Sequence, residues 1–171
     1  MHYQAALSLL MQEQRISIQT LSNRTNFSVR WLSLILKDSD WNPWLNTLLK
    51  LSEALRINVI KIVEYSEVCN RQENLRTSEP QNLRTSELNI TPEQISYALK
   101  AVRLEQGLSQ TTLAKLTHFQ LTAISLREQS RYQSYPALST LETYCKAFGI
   151  TVSSFLRYAL SLSLTSEEAI S

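Results

Sequence analysis

Two stretches of this chain, RISIQTLSNRTNFSVRWLSLI beginning at Arg15 and GLSQTTLAKLTHFQLTAISLR beginning at Gly107, run in register at a constant offset of 92 residues. Ile16 stands opposite Leu108, Ser17 opposite Ser109, Leu21 opposite Leu113, Thr25 opposite Thr117, Phe27 opposite Phe119, Leu32 opposite Ile124 and Ser33 opposite Ser125. One inserted residue shifts the offset to 93. Pro43 then meets Pro136, Leu45 meets Leu138, Leu48 meets Leu141, Ala54 meets Ala147, Ile57 meets Ile150 and Val59 meets Val152. The matched positions are mostly apolar and helically spaced, which is a core pattern. Self-similarity over this length reads as two copies of one domain. A chain of 171 residues holds two small units, and a helical unit of about 65 residues can bury a core of its own.

The copies are predicted to be helical throughout. With only 2 glycines and 4 prolines, the chain has few breakers, which argues for helices joined by short turns. The second copy opens on Thr91-Pro92-Glu93-Gln94. Thr91 is a cap, Pro92 suits the first helical position, and Glu93 and Gln94 favour the positive end of the helix. Ile95, Ala98, Leu99, Val102 and Leu104 form the apolar stripe of its first helix, which Gly107 ends. A second helix runs from Ser109 to about 116 with Leu113 and Ala114 inward, and Phe119 plugs the core at the following turn. A third spans about 120–129, anchored by Ile124. A fourth opens at Pro136 and stops at Gly149, and a fifth holds Val152, Phe155 and Leu156. The first copy repeats this near 2–14, 17–24, 28–37, 43–55 and 58–66. The domains are accordingly 1–67 and 91–161, with residues 162–171 a frayed tail. Between them, 68–90 is polar and carries a duplicated hexamer, Asn74-Leu-Arg-Thr-Ser-Glu79 and Asn82-Leu-Arg-Thr-Ser-Glu87. With so little to bury, this reads as a flexible tether, a duplicated docking motif being the alternative.

Charge is evenly spread. Residues 1–70 carry 7 basic and 6 acidic groups, 71–90 carry 3 and 3, and 91–171 carry 7 and 6. Bulk attraction to a polyanion is therefore weak, and any nucleic-acid contact must come from local clusters. Cys69 and Cys145 form no CxxC and define no disulfide framework, and Cys145 falls in an apolar helical pattern as a buried thiol. The first twelve residues lack a signal-peptide layout, and no apolar run approaches membrane-spanning length. The expected location is the cytoplasm, with no membrane partner.

The second copy resembles the phage repressor and Cro family of xenobiotic-response-element-type regulators. Gly107-Leu108-Ser109-Gln110 with Leu113-Ala114 is similar to the family's GLSQxxLA. Ile124-Ser125-x-x-Glu128 is similar to its ISxxE, Pro136-x-Leu138-x-x-Leu141 to its PxLxxL, and Ala147-Phe148-Gly149-Ile150 to its ALGV. The first copy follows more loosely, with Ile18 where the family usually has Gln and Leu36 where it has Glu. The resemblance implies an all-α fold class: two tandem five-helix lambda-repressor-like helix-turn-helix domains joined by a polar linker. It further implies that the third helix of each copy enters the major groove of double-stranded DNA.

Carried onto this sequence, the resemblance places the base-facing positions at Val29, Arg30 and Leu34 in the first copy and at Leu121, Thr122 and Leu126 in the second. The start of the second helix, which grips a phosphate, maps to Ser17-Ile18 and Ser109-Gln110. The full DNA-facing set is Ser17, Ser28, Val29, Arg30, Trp31, Leu34 and Lys37, with Ser109, Gln110, Gln120, Leu121, Thr122, Ser125, Leu126, Arg127 and Arg131. Of the base-facing positions only Arg30 belongs to the strong hydrogen-bonding readers. Val29, Leu121 and Leu126 can touch thymine methyl groups, or equally form an apolar patch for a protein partner. Arg24, Lys37, Lys115, Arg127 and Arg131 lie where they can reach phosphates, or are solvated surface charges. Trp31, Trp41 and Trp44 cluster near the third helix, with Trp44 expected in the core and Trp41 over the loop, or together as a partner-binding patch.

Other chemistry finds no support. His118 has no Cys, Asp or Glu at ligand spacing, paired carboxylates occur only as Glu167-Glu168, and phosphate-binding glycine loops and nucleophile motifs are absent from the sequence. Neither catalytic residues, nor metal, nor cofactor is expected, and the protein is not read as an enzyme. The expected function is a sequence-specific transcriptional regulator, a repressor, able to homodimerise. The alternative is a protein-interaction module on the same scaffold: an anti-activator, antitoxin or assembly factor. A 23-residue tether would span roughly 24–29 Å as a coil. Half-sites lie about 34 Å apart, so one chain can reach two of them.

Overall fold

The computed structural model describes residues 2–70, 90–129 and 133–167. Regular structure among them is helical, without a strand, and the chain divides into two compact units, Met1–Leu88 and Asn89–Ser171. The duplicated hexamer, Arg131 and the residues beyond Glu167 lie outside the described residues. Unit 1 holds α1 (Tyr3–Glu13), α2 (Ile18–Thr25), α3 (Val29–Ile35), α4 (Leu45–Leu55) and α5 (Val59–Asn70). Unit 2 holds α6 (Pro92–Glu105), α7 (Gln110–Thr117), α8 (Leu121–Arg127), α9 (Leu138–Phe148) and α10 (Val152–Glu167). Both last helices outrun the sequence boundaries, α5 passing 67 and α10 passing Ser161.

In unit 1, α1 packs on α5, while α2 packs on α3 and α4. Tyr3, Leu7, Leu10, Leu21, Leu32, Leu45, Leu48 and Leu51 are fully buried between them. In unit 2, α6 packs on α10, and α7 packs on α8 and α9. Its core is Ile95, Leu99, Leu113, Ile124, Leu138, Leu141, Tyr144 and Phe155. Burying these side chains contributes about 1.5–3 kcal/mol each before chain entropy is counted.

Local chemistry sets the helix ends. Thr91 and Gln94 form a reciprocal capping box: the Thr91 hydroxyl accepts from the Gln94 N–H at 3.2 Å, and Gln94 Oε1 accepts from the Thr91 N–H at 2.8 Å. Three left-handed residues punctuate each unit: Arg15, Asn26 and Arg56 in the first, Gly107, His118 and Gly149 in the second. They stand 92, 92 and 93 residues apart, the offsets of the sequence repeat.

Two expectations about the core are corrected. Trp44 is 55% exposed. It is the extended N-cap of α4, and successive side chains on extended backbone point to opposite sides. Pro43 and Leu45, its neighbours, take the buried positions. Leu104 is 57% exposed, and Arg103, only 6% exposed, faces inward in its stead. Leu99 and Arg103 lie four residues apart on one helical face, so the inward stripe continues through the arginine. Ala114 and Phe119, both expected inward, are half-buried.

Candidate nucleic-acid interface

In both units a short helix, a tight turn and a second short helix stand side by side. Ser17 caps α2, its Oγ accepting the Thr20 N–H at 3.1 Å, and Ser109 caps α7, accepting the Thr112 N–H at 3.0 Å. The capping hydroxyls also bond to those of Thr20 and Thr112, at 2.9 and 2.8 Å. At the turn, Thr25 Oγ1 donates to the Leu21 carbonyl at 2.8 Å and accepts the Phe27 N–H at 3.2 Å. Thr117 does the same with Leu113 and Phe119, at 2.7 and 3.3 Å. The left-handed residue between, Asn26 or His118, reverses the chain. This hydroxyl-bracketed turn needs Thr two residues before Phe, and both copies supply it.

The second helices of these pairs, α3 and α8, present the predicted residues as follows. On α3, Ser28, Arg30, Leu34 and Lys37 are exposed, while Val29 and Trp31 are half-buried. Ser28 is the N-cap, its Oγ accepting the Trp31 N–H at 3.1 Å. Trp31 packs on Phe27 with ring centroids 4.6 Å apart and meets Trp41 edge-on at 6.3 Å. Arg30 enters no ion pair among the described residues. On α8, Gln120, Leu121, Thr122 and Leu126 are exposed, and Ser125 and Arg127 are half-buried. Gln120 is the N-cap, but its side chain makes no capping bond. Of the other cations, Arg24 is tied by Nη1 to the Ala54 carbonyl at 2.8 Å, a contact with the end of α4.

Charge on these elements is one-sided, although each unit as a whole is nearly neutral. From Arg15 through Lys37 there are four basic residues and no acidic one. From Gly107 through Gln129 the charged residues are Lys115, Arg127 and Glu128, and Glu128 is buried and paired. Counting charge over whole domains averages this away.

The Glu128 pair is a structural feature that sequence reasoning missed. Arg103 Nε and Nη2 donate to the two Glu128 carboxylate oxygens at 2.6 and 2.7 Å, and Arg103 Nη1 donates to the Leu108 carbonyl at 2.7 Å. Gln110 Nε2 donates to Glu128 Oε2 at 2.8 Å. The hydrogen bonds to Glu128 hold the Arg103 guanidinium protonated more firmly than usual, against the cost of burial. Gln110, expected to grip phosphate, is thereby committed inward by its amide nitrogen. The available signal was helical spacing: a charged residue in register with Leu99 requires a buried partner.

A second paired contact also went unread. The Tyr65 hydroxyl on α5 donates to Glu13 at 2.8 Å, and the Tyr158 hydroxyl on α10 donates to Glu105 at 2.7 Å. Burial and the neighbouring carboxylate push Tyr65 up to about 12. The bond to Glu105, then burial and the same charge repulsion, push Tyr158 up to about 12.

Each pair is thus two short helices joined by a hydroxyl-bracketed turn. Residues 99–155, a third of the chain within unit 2, match the helix-turn-helix family model. Proteins of that family are DNA-binding regulators and generally non-enzymatic. No curated protein and no solved structure matches the chain. Among the described residues, no group of three His, Cys, Asp or Glu is placed to hold a metal, and no helix is long and apolar enough to cross a membrane.

Proposed function

We propose that this chain is a sequence-specific, double-stranded-DNA-binding transcription regulator, a repressor, in which both units are copies of one helix-turn-helix domain. α8, and α3 with it, would lie in the major groove. The carrying observation is the outward face of α8, exposed at Gln120, Leu121, Thr122 and Leu126, on a helix pair inside the family-matched segment. Unit 1 joins this reading because its capped turn and left-handed positions fall at the repeat offsets. Ser17, Ser109, Lys37, Lys115 and Arg127 are the candidate phosphate contacts, and the bias toward basic residues favours a polyanion. Two recognition helices in one chain can occupy two half-sites without a second copy.

Gel shift with duplexes drawn from a genomic library, on single and tandem sites at several salt concentrations, tests this. Tandem sites one helical turn apart should bind tighter, with a steeper salt dependence because more phosphates are neutralised. A chain that retains no duplex at low salt refutes the proposal. One exposed feature favours a second reading: Leu116, Leu121 and Leu126 are each about half exposed on the same helix pair, a face a protein partner can also use.

A further inference from the structure

The major-groove edges of base pairs are polar except at one group, the C5 methyl of thymine. On α8, Leu121 is 45% exposed and Leu126 51% exposed, Thr122 beside them is exposed, and the helix itself contains no acidic residue. An exposed leucine pressed on a guanine or cytosine edge strips water from hydrogen-bonding groups and replaces nothing, an unfavourable exchange. Pressed on a thymine methyl, it buries apolar surface on both sides.

We infer that unit 2 reads A·T base pairs through their thymine methyl groups, with Leu121, Thr122 and Leu126 as the methyl contacts and the uncapped Gln120 amide on a neighbouring adenine. Gln120 suits that role because its side chain is not spent on its own helix and a carboxamide matches adenine N6 and N7. The duplex is favoured over a protein as occupant by charge: between Gly107 and Gln129 the sole carboxylate is buried against Arg103, while Lys115 on α7 is exposed. Unit 1 keeps the leucine at Leu34 but carries Ser28, Val29 and Arg30 at the other aligned positions, so the combination of a carboxamide with three methyl contacts is a property of unit 2. The inference rests on the DNA-binding reading above.

The test uses the full chain and a duplex selected from random sequence. Each thymine is replaced singly by deoxyuridine, which removes only the methyl, and Kd is measured by gel shift at one salt concentration. One or more positions should lose about fourfold in affinity, the equivalent of returning one methyl-sized group to water. Leu126→Ala, at a half-exposed site that leaves the fold intact, should bind the thymine duplex as weakly as the wild type binds the uridine duplex, and should be indifferent to at least one substitution. Gln120→Ala should lose preference for adenine at an adjacent position. If every uridine duplex binds the wild type as well as the thymine duplex does, the inference falls while DNA binding stands. If no duplex binds at low salt, both fall. If Leu121→Glu with Leu126→Glu leaves duplex affinity unchanged but releases a stoichiometric protein, the face belongs to that partner and the inference is overturned.

Discussion

The two units solve one packing problem in opposite ways. In unit 2, Arg103 on α6, Gln110 on α7 and Glu128 after α8 form a hydrogen-bonded cluster, with Arg103 and Glu128 buried. At the corresponding positions of unit 1 stand Met11, Ile18 and Leu36. Met11 is buried and the other two are half-buried. The backbone beneath is the same: Ile16 N–H donates to the Met11 carbonyl at 2.9 Å, and Leu108 N–H to the Arg103 carbonyl at 3.0 Å. All three positions differ in character together. A buried charge is tolerable only with its partner, so a polar triad and an apolar triad are both stable where mixtures are not.

The largest effect should come from breaking the polar triad at one point. Glu128→Ala leaves the Arg103 guanidinium buried and unpaired, and unit 2 should lose about 3–5 kcal/mol, read from the denaturant unfolding of the full chain as early loss of one transition. Exchanging the whole triad (Arg103→Met, Gln110→Ile and Glu128→Leu) should be neutral or stabilising by about 1–4 kcal/mol. A triple variant less stable than Glu128→Ala would show that the two triads are not interchangeable.

A smaller contrast lies at the helix ends. Gly149 ends α9 at φ +67, and an added Cβ meets nothing within 4 Å, so Gly149→Ala should cost only the left-handed penalty, about 1 kcal/mol. Arg56 holds the corresponding place at φ +55, and Arg56→Gly should stabilise unit 1 by up to about 1 kcal/mol, offset by the added freedom of the unfolded glycine. Thermal melts of the two variants should move in opposite directions.

The smallest expected effect concerns the features the units share. Tyr65 and Tyr158 both titrate near 12 in the folded chain against an ordinary 10.0. A tyrosine that keeps its proton longer when folded contributes stability that is complete below pH 10 and lost as the pH rises toward 12. The melting temperature should therefore fall across that window. Tyr65→Phe with Tyr158→Phe should flatten that part of the fall, by a modest amount because both contacts are exposed.

Much of this architecture was legible in the chain because its signals are local or periodic. The apolar residues that the repeat matched, such as Leu21 with Leu113 and Leu48 with Leu141, are core residues in both units. Thr91 and Ser109 were readable as caps from their positions before apolar runs. The departure of Ile18 and Leu36 from the family pattern is visible too, but not its meaning, because the inward turn of Arg103, and with it the correspondence to Met11, depends on a partner 25 residues away. Trp44 misled for a similar reason: its size argues for burial, while its direction depends on the extended backbone of the cap.

By itself, then, the sequence determined helix order and most helix ends, the last helix of each unit excepted, since capping, glycine placement and apolar spacing act over a few residues. It also specified the apolar residues that recur in both cores, though not the outward turn of Trp44 and Leu104 or the inward turn of Arg103. Tertiary structure alone decided that Arg103 and Glu128, 25 residues apart, meet inside the fold, and that Tyr65 finds Glu13 and Tyr158 finds Glu105 across the helix pairs. Those outcomes depend on where separate helices dock, and the cost of a buried or exposed group is set by a partner that no local window contains.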